Sequence, residues 1–214
     1  CLYPKRIPNK RYLRTKKNGG VPPICPDERL RYVTAACGDC YECRKQKQRQ
    51  WVVRMSEENR QTPNAYFLTL TIDDKSYKHI KQKYNLKDNN DIATKAIRLC
   101  LERVRKLTGK SVKHWFITEL GHEKTERLHL HGIVWGLGNG EKVTNSWKYG
   151  ITFTGYFVNE KTINYITKYM LKVDEKHPKF RGKVLCSAGI GSGYLKREDA
   201  KRHVYIPKQM NHTE

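Results

Sequence analysis

The stretch Arg127-Leu128-His129-Leu130-His131-Gly132-Ile133-Val134-Trp135-Gly136 decides how the chain folds. Its apolar and β-branched residues predict a strand. Side chains two apart on a strand share a face, so His129 and His131 stand together while Leu128, Leu130 and Val134 face the other way. One face is then free to bind and the other packs. Two adjacent imidazoles supply half of a metal site, and a third ligand must come from another strand if an ion is to keep open positions. Trp115-Phe116-Ile117-Thr118-Glu119 is a second strand-like run, and the polar stretch from Gly121 to Glu126 can turn the chain back. In that antiparallel hairpin Glu119 lies opposite His129 on the same face. Two histidines on a strand are more often ordinary paired residues than ligands, so the pattern draws its weight from its surroundings.

Working outward, Ala65 to Ile72 reads as a buried strand ended by Asp73-Asp74. Asp91 to Leu107 has helical periodicity through Ile92, Ala96, Leu99, Cys100, Arg103, Val104 and Leu107, with Asp91 as N-cap and Gly109 just past the end. A short strand from Ile151 to Val158 leads into a helix from about Lys161 to Val173. This order predicts an α+β fold, a central antiparallel sheet with helices packed on one face. Three parts are expected: residues 1–60 as a basic arm, cysteine cluster and basic helix; 61–175 as the core; and 176–214 as a basic C-terminal extension. Gly189, Gly191 and Gly193 could let backbone approach a phosphate, but they read more simply as a flexible loop.

Charge narrows the partner. Lys and Arg number 43 against 21 Asp and Glu, a formal +22, spread along the 214 residues and not gathered in one tail. A cationic body seeks a polyanion. No apolar run is long enough to span a bilayer and no secretory signal opens the chain, so nucleic acid is favoured over membrane. Thirteen Tyr and four Trp interleaved with the charge suit base stacking as well as phosphate contact.

Seven cysteines is an odd count, and clustered thiols point to metal in a reducing compartment and away from a disulfide framework. Cys37-Gly38-Asp39-Cys40-Tyr41-Glu42-Cys43 is a C-x2-C-x2-C cluster that runs into a helix from Arg44 to Arg60. Structural zinc needs a fourth ligand, with Cys1 or Cys25 the candidates, and would pin the weakly folded arm. An iron–sulfur reading lacks its fourth cysteine, because Lys47 stands where that residue is expected. The helix sets Arg44, Lys47, Trp51 and Arg54 along one stripe, and together with Arg127 these are the expected DNA contacts.

The last predicted helix carries Tyr165 and Tyr169, four apart and so on one face, with Lys168 and Lys172 each three residues after a tyrosine. A phenol is a poor nucleophile at neutral pH. Nearby ammonium groups favour phenolate, and a divalent ion makes a phosphate a better target. An ion on His129, His131 and Glu119 beside two phenols suits transesterification of a DNA phosphodiester, giving a 5′-phosphotyrosine and a free 3′-hydroxyl.

Three motifs in order resemble the HUH endonuclease superfamily, and more narrowly the rolling-circle replication initiators of microvirus-type, gokushovirus-like phages. They are Phe67-Leu68-Thr69-Leu70-Thr71, His129-Leu130-His131 and Tyr165-x-x-Lys168-Tyr169. The cysteine cluster with Arg44, and Gly189-Ile190-Gly191, also resemble elements of that group. The resemblance implies His129 and His131 as ligands of Mg or Mn, and Tyr165 and Tyr169 as nucleophiles. Glu119 is the third ligand, with His114 and His122 as nearby substitutes. It implies Cys1 as the partner of Cys37, Cys40 and Cys43 in a structural zinc site. It further implies a single-stranded DNA origin, hairpin or site, as substrate, in the cytoplasm of a bacterial host. No P-loop occurs, so a host helicase would be needed along with a host polymerase. Two rival readings are a transposase or relaxase of the same superfamily, and a non-catalytic zinc-stabilised module that binds single-stranded nucleic acid.

Overall fold

The computed structural model describes residues 1–121, 126–138, 140–155 and 157–201. The chain divides into two compact units, Cys1–Arg49 and Gln50 onward.

In the first unit β1 (Lys5–Pro8) pairs antiparallel with β2 (Tyr32–Ala35), in register from Lys5 opposite Ala35 to Pro8 opposite Tyr32. Three short 3-10 turns between them are capped by Asn9, Thr15 and Asp27, whose side chains accept from the N–H groups of Arg11, Asn18 and Arg29. Cys43, in the first turn of α1 (Tyr41–Gln61), is the one buried residue in the unit. A segment with so little core needs a covalent or metal staple to hold one shape.

The second unit continues α1 from Gln50 and adds β3 (Tyr66–Thr71), α2 (Asp74–Lys83), α3 (Asn89–Thr108), β4 (Lys113–Leu120) and β5 (Leu128–Trp135). After these come α4 (Glu141–Ser146), β6 (Thr152–Gly155), α5 (Glu160–Thr167), β7 (Val184–Cys186) and α6 (Glu198–Lys201). The five strands form one antiparallel sheet in the order β6-β3-β5-β4-β7. Val184–Cys186 thus brings the segment after residue 175 into the sheet as an edge strand.

Both faces of the sheet are covered. On one, Leu68, Leu70, Phe116, Leu128, Leu130 and Val134 pack against Ile80 of α2 and Ile92, Ala96, Cys100 and Val104 of α3. Phe116 lies over Gly132, where a Cβ would fall 1.9 Å from Phe116 Cδ1, so this strand position requires glycine. On the other face Trp115, Ile117, Ile133 and Trp135 pack against Trp51 and Met55 of α1, Ile163 and Ile166 of α5, and Ile190. The expected α+β sheet is present, but its helices pack on two faces and not one. The physical reason lies in alternation. Half of the histidine face is made of Trp115, Ile117, Ile133 and Trp135, and each fully buried side chain of this size is worth about 1.5–3 kcal/mol, so that half needs its own cover.

The glycine-rich loop is pinned to α1. Ile190 is buried, its carbonyl accepts from Arg54 Nε at 3.0 Å, and the Gly191 N–H donates to Glu58 Oε2 at 3.1 Å. A Cβ on Gly191, at φ +70°, would fall 2.5 Å from Arg54 Cα and O. The expectation of a plain flexible loop is therefore wrong at Gly191, where glycine is needed for close approach of two backbones. Glu57 and Glu58, both buried, anchor the same region through Arg60 at 2.8 Å and Arg197 at 3.1 Å for the first, and Lys113 at 2.6 Å for the second. Among the described residues no helix is long and apolar enough to cross a membrane.

Candidate functional site

Register gathers the candidate ligands. Glu119 of β4 stands opposite His129, and on the other side of β5 Thr71 and Thr69 of β3 stand opposite His129 and His131. Alternation puts all five side chains on one face of the sheet. Glu119 Oε2 lies 2.7 Å from His131 Nε2, and the other carboxylate oxygen accepts from Lys172 Nζ. Thr71 Oγ1 is hydrogen-bonded to His129 Nδ1 at 2.9 Å and Thr69 Oγ1 to His131 Nδ1 at 3.1 Å. A partner on Nδ1 orients each ring and leaves Nε2 as its ligand atom.

Burial, with His131 beside it, holds the His129 imidazole below its ordinary pKa and so neutral, the form that binds a metal. Burial pushes the Glu119 carboxyl up, but His131 and Lys172 outweigh it and keep it below the usual value. Two imidazoles and a carboxylate on one face are a donor set that fits a divalent cation. Among the described residues, however, only the four cysteine sulfurs below form a group of ligand atoms all within 4.8 Å of one another. His114 is not a substitute for Glu119. It lies on the opposite face, with Nδ1 2.9 Å from both the Val112 carbonyl and Ser187 Oγ. His122 lies outside the described residues.

The tyrosines arrive on α5. Asn159 caps it, with a reciprocal capping box to Thr162, and Ile163 and Ile166 seat it on the sheet. After Thr167 the chain tightens into a 3-10 turn at Lys168–Met170, so the helix is shorter than its periodicity suggests. Tyr169 stacks on His131, with ring centroids 4.4 Å apart and planes 14° from parallel, and its hydroxyl is 2.8 Å from that of Tyr165. Tyr165 is 53% exposed. The lysines do not act as expected. Lys168 is exposed, and Lys172 pairs with Glu119 with Nζ 5.9 Å from the centre of the Tyr169 ring. Burial, the Tyr165 hydroxyl and the Glu119 charge push the Tyr169 phenol above its ordinary pKa, so these ammonium groups do not pre-ionise it.

The basic stripe separates into parts. Arg44 is half-buried and Lys47 exposed, both in the first unit. In the second unit Trp51 is buried edge-on against Trp115, with centroids 5.8 Å apart. Arg54 lies 4.2 Å over the Trp51 ring while bonded to Ile190. Trp51 is thus core and Arg54 its cover, which corrects their reading as DNA contacts: a large apolar ring on the helix finds the sheet before it finds a base. Arg127, one-third exposed, reaches Asp74 at 3.5 Å. Sequence reasoning missed Thr69 and Thr71 as partners of the histidines. The signal was present in the alternation of Thr with Leu in Phe67-Leu68-Thr69-Leu70-Thr71, the face of β3 that must meet the histidine face of β5.

In the first unit the sulfurs of Cys1, Cys37, Cys40 and Cys43 all lie within 4.8 Å of one another and could hold zinc. The Cys37–Cys43 and Cys40–Cys1 sulfur separations are 3.7 and 3.9 Å, against about 3.8 Å for the edge of a tetrahedron with zinc–sulfur bonds near 2.3 Å. The N–H groups of Cys43 and Leu2 hold the Cys40 thiol down to about 6, in thiolate form at neutral pH. Cys25 stands apart from the cluster and donates to the Asp27 carbonyl at 3.0 Å.

No curated protein and no solved structure matches the chain. A family model described as replication-associated protein ORF2 matches residues 65–174, just over half of the chain, from the start of β3 through both tyrosines. The sheet that aligns Glu119, His129 and His131, and the helix that brings Tyr165 and Tyr169 over them, lie wholly inside that match, and the chain belongs to this replication-associated protein family.

Proposed function

We propose that the protein nicks and rejoins single-stranded DNA by tyrosine transesterification, initiating and terminating rolling-circle replication of a small circular phage genome. The observation that carries this reading is the contact between the two constellations: the Tyr169 ring lies flat on His131 while its hydroxyl meets that of Tyr165. A pair of phenols with no chemical task has no need to lie over a histidine whose neighbours are a second histidine and a carboxylate.

His129, His131 and Glu119 would hold Mg or Mn, which supplies Lewis-acid polarisation of the scissile phosphate. Thr69 and Thr71 fix the imidazoles, and Lys172 balances the Glu119 charge until substrate enters. The phenolic oxygen of one tyrosine forms a bond to phosphorus as the bond from phosphorus to the 3′ oxygen breaks. The phenolic proton ends, in net, on the released 3′-hydroxyl. One ester replaces another, so the step is reversible without ATP. A second phenol at hydrogen-bond distance permits a second cleavage while the first strand end is still held. Lys168, exposed beside Tyr169 in sequence, serves the incoming phosphates.

The test is incubation with labelled single-stranded origin DNA and Mn, followed by denaturing electrophoresis. An adduct that survives denaturation is expected, reduced by either Tyr165→Phe or Tyr169→Phe and abolished by both. His129→Ala should lose cleavage yet keep much of the DNA affinity, which rests mainly on phosphate contacts. Binding without any adduct, whatever the divalent ion, makes the protein a non-catalytic binding module.

A further inference from the structure

The composition promises base stacking, yet the four tryptophans, Trp51, Trp115, Trp135 and Trp147, are all buried. The aromatic surface has to be found elsewhere. Phe153 is 61% exposed and lies on β6, the edge strand beside β3. It stands opposite Thr69, which stands opposite His131, so the three occupy one row across three strands of the same face. At the strand spacing of a sheet, the Phe153 backbone is roughly 10 Å from that of His131. Two residues along, Gly155 leaves the face bare: a Cβ there would fall 3.4 Å from Phe67 Cδ1 and 3.9 Å from Phe153 Cε1, so both rings border the gap. Phe67, in turn, lies nearly parallel to His131, with planes 14° apart and centroids 6.4 Å apart.

We infer that Phe153 and Phe67, either side of Gly155, form a stacking platform for an unpaired base of the single strand that enters the site. The inference rests on the nucleic-acid reading of the His129–Tyr169 site and adds a binding subsite to it. Charge selects the occupant: a chain with a formal +22 draws in a polyanion. The ring plane selects its form, because a base offers a free face to a phenyl ring only when it is unpaired. The row leading from Phe153 to His131 gives the strand a direct course over the sheet. Stacking contributes affinity that tolerates any sequence and does not depend on ion release.

The experiment is fluorescence anisotropy of a labelled single-stranded oligonucleotide with the full chain over a range of salt. Phe153→Ala should weaken binding by at least about five-fold, with the slope of log affinity against log salt unchanged because no phosphate contact is lost. Phe153→Trp should keep wild-type affinity and add an indole emission that the oligonucleotide quenches. Leu107→Ala removes another exposed apolar side chain, at the end of α3, which packs on the opposite face, and should leave binding as it was. Wild-type affinity in Phe153→Ala, an unquenched Phe153→Trp, or an equal loss of duplex binding overturns the platform while leaving the cleavage site standing. Failure of the wild-type protein to bind single strands at all overturns both.

Discussion

Thr71 Oγ1 lies 2.9 Å from His129 Nδ1, across the pair of strands that sets the two residues opposite each other. Thr69 repeats the arrangement with His131. Partners of this kind orient a metal-binding imidazole and fix its tautomer. Thr71→Val should therefore weaken Mn binding by about 10- to 100-fold, read by titration calorimetry or by loss of the free-ion spin-resonance signal. Thr71→Ser, which keeps the hydroxyl, should restore most of it. Thermal stability should change little in either variant, which separates orientation of the ligand from damage to the sheet.

The four sulfurs of the first unit should bind one zinc. Cys1→Ser and Cys40→Ser should purify with less than stoichiometric metal, whereas Cys25→Ser, whose thiol meets the Asp27 carbonyl, should retain it. Metal content by mass spectrometry checks this. A strong chelator should unfold residues 1–49 first, because Cys43 is their one buried side chain.

Gly191→Ala should destabilise the protein by more than Gly189→Ala. Both have positive φ, +70° and +75°, so each variant bears the left-handed penalty of about 1–2 kcal/mol. Only Gly191 adds a backbone collision, 2.5 Å from Arg54 Cα, whereas the nearest atom to a Gly189 Cβ is Ser192 Oγ at 3.9 Å. Urea denaturation midpoints give the comparison.

Glu58 supplies a pH signature. Burial raises its carboxyl, but Lys113, the Gly191 N–H and Thr62 outweigh burial and hold the pKa below the ordinary value. A depressed folded pKa contributes stability that is fully present above the unfolded value of about 4.3, and is lost as pH falls through the folded value beneath it. Glu58→Gln should cost about 1–3 kcal/mol at neutral pH. Its deficit should narrow as wild type is acidified below about pH 4. A constant difference throughout the acid range would mean that the carboxylate charge carries none of it.

Much of the sheet was legible because His129, His131 and Glu119 lie on strands with clear alternation, and a two-residue period assigns their faces directly. Helix α2 was not, because its one buried residue is Ile80 and Asp73, read only as the end of β3, is its N-cap, accepting from the Ser76 N–H. The start of α3 was read as Asp91 when Asp88 holds the cap. The fate of Trp51 could not be read from a charge stripe, since spacing says which residues share a helix face and not what that face meets. The task of Lys172 is tertiary in the same way: it depends on Glu119, 53 positions earlier.

The central claim, that these phenols become joined to DNA, is tested most directly by mass spectrometry of the peptide released from a trapped adduct. Protein treated with single-stranded DNA and Mn, then digested with nuclease and protease, should carry a nucleotide phosphate on Tyr165 or Tyr169. A phosphoester on any other residue, or nicked DNA with no protein attached, would contradict the account.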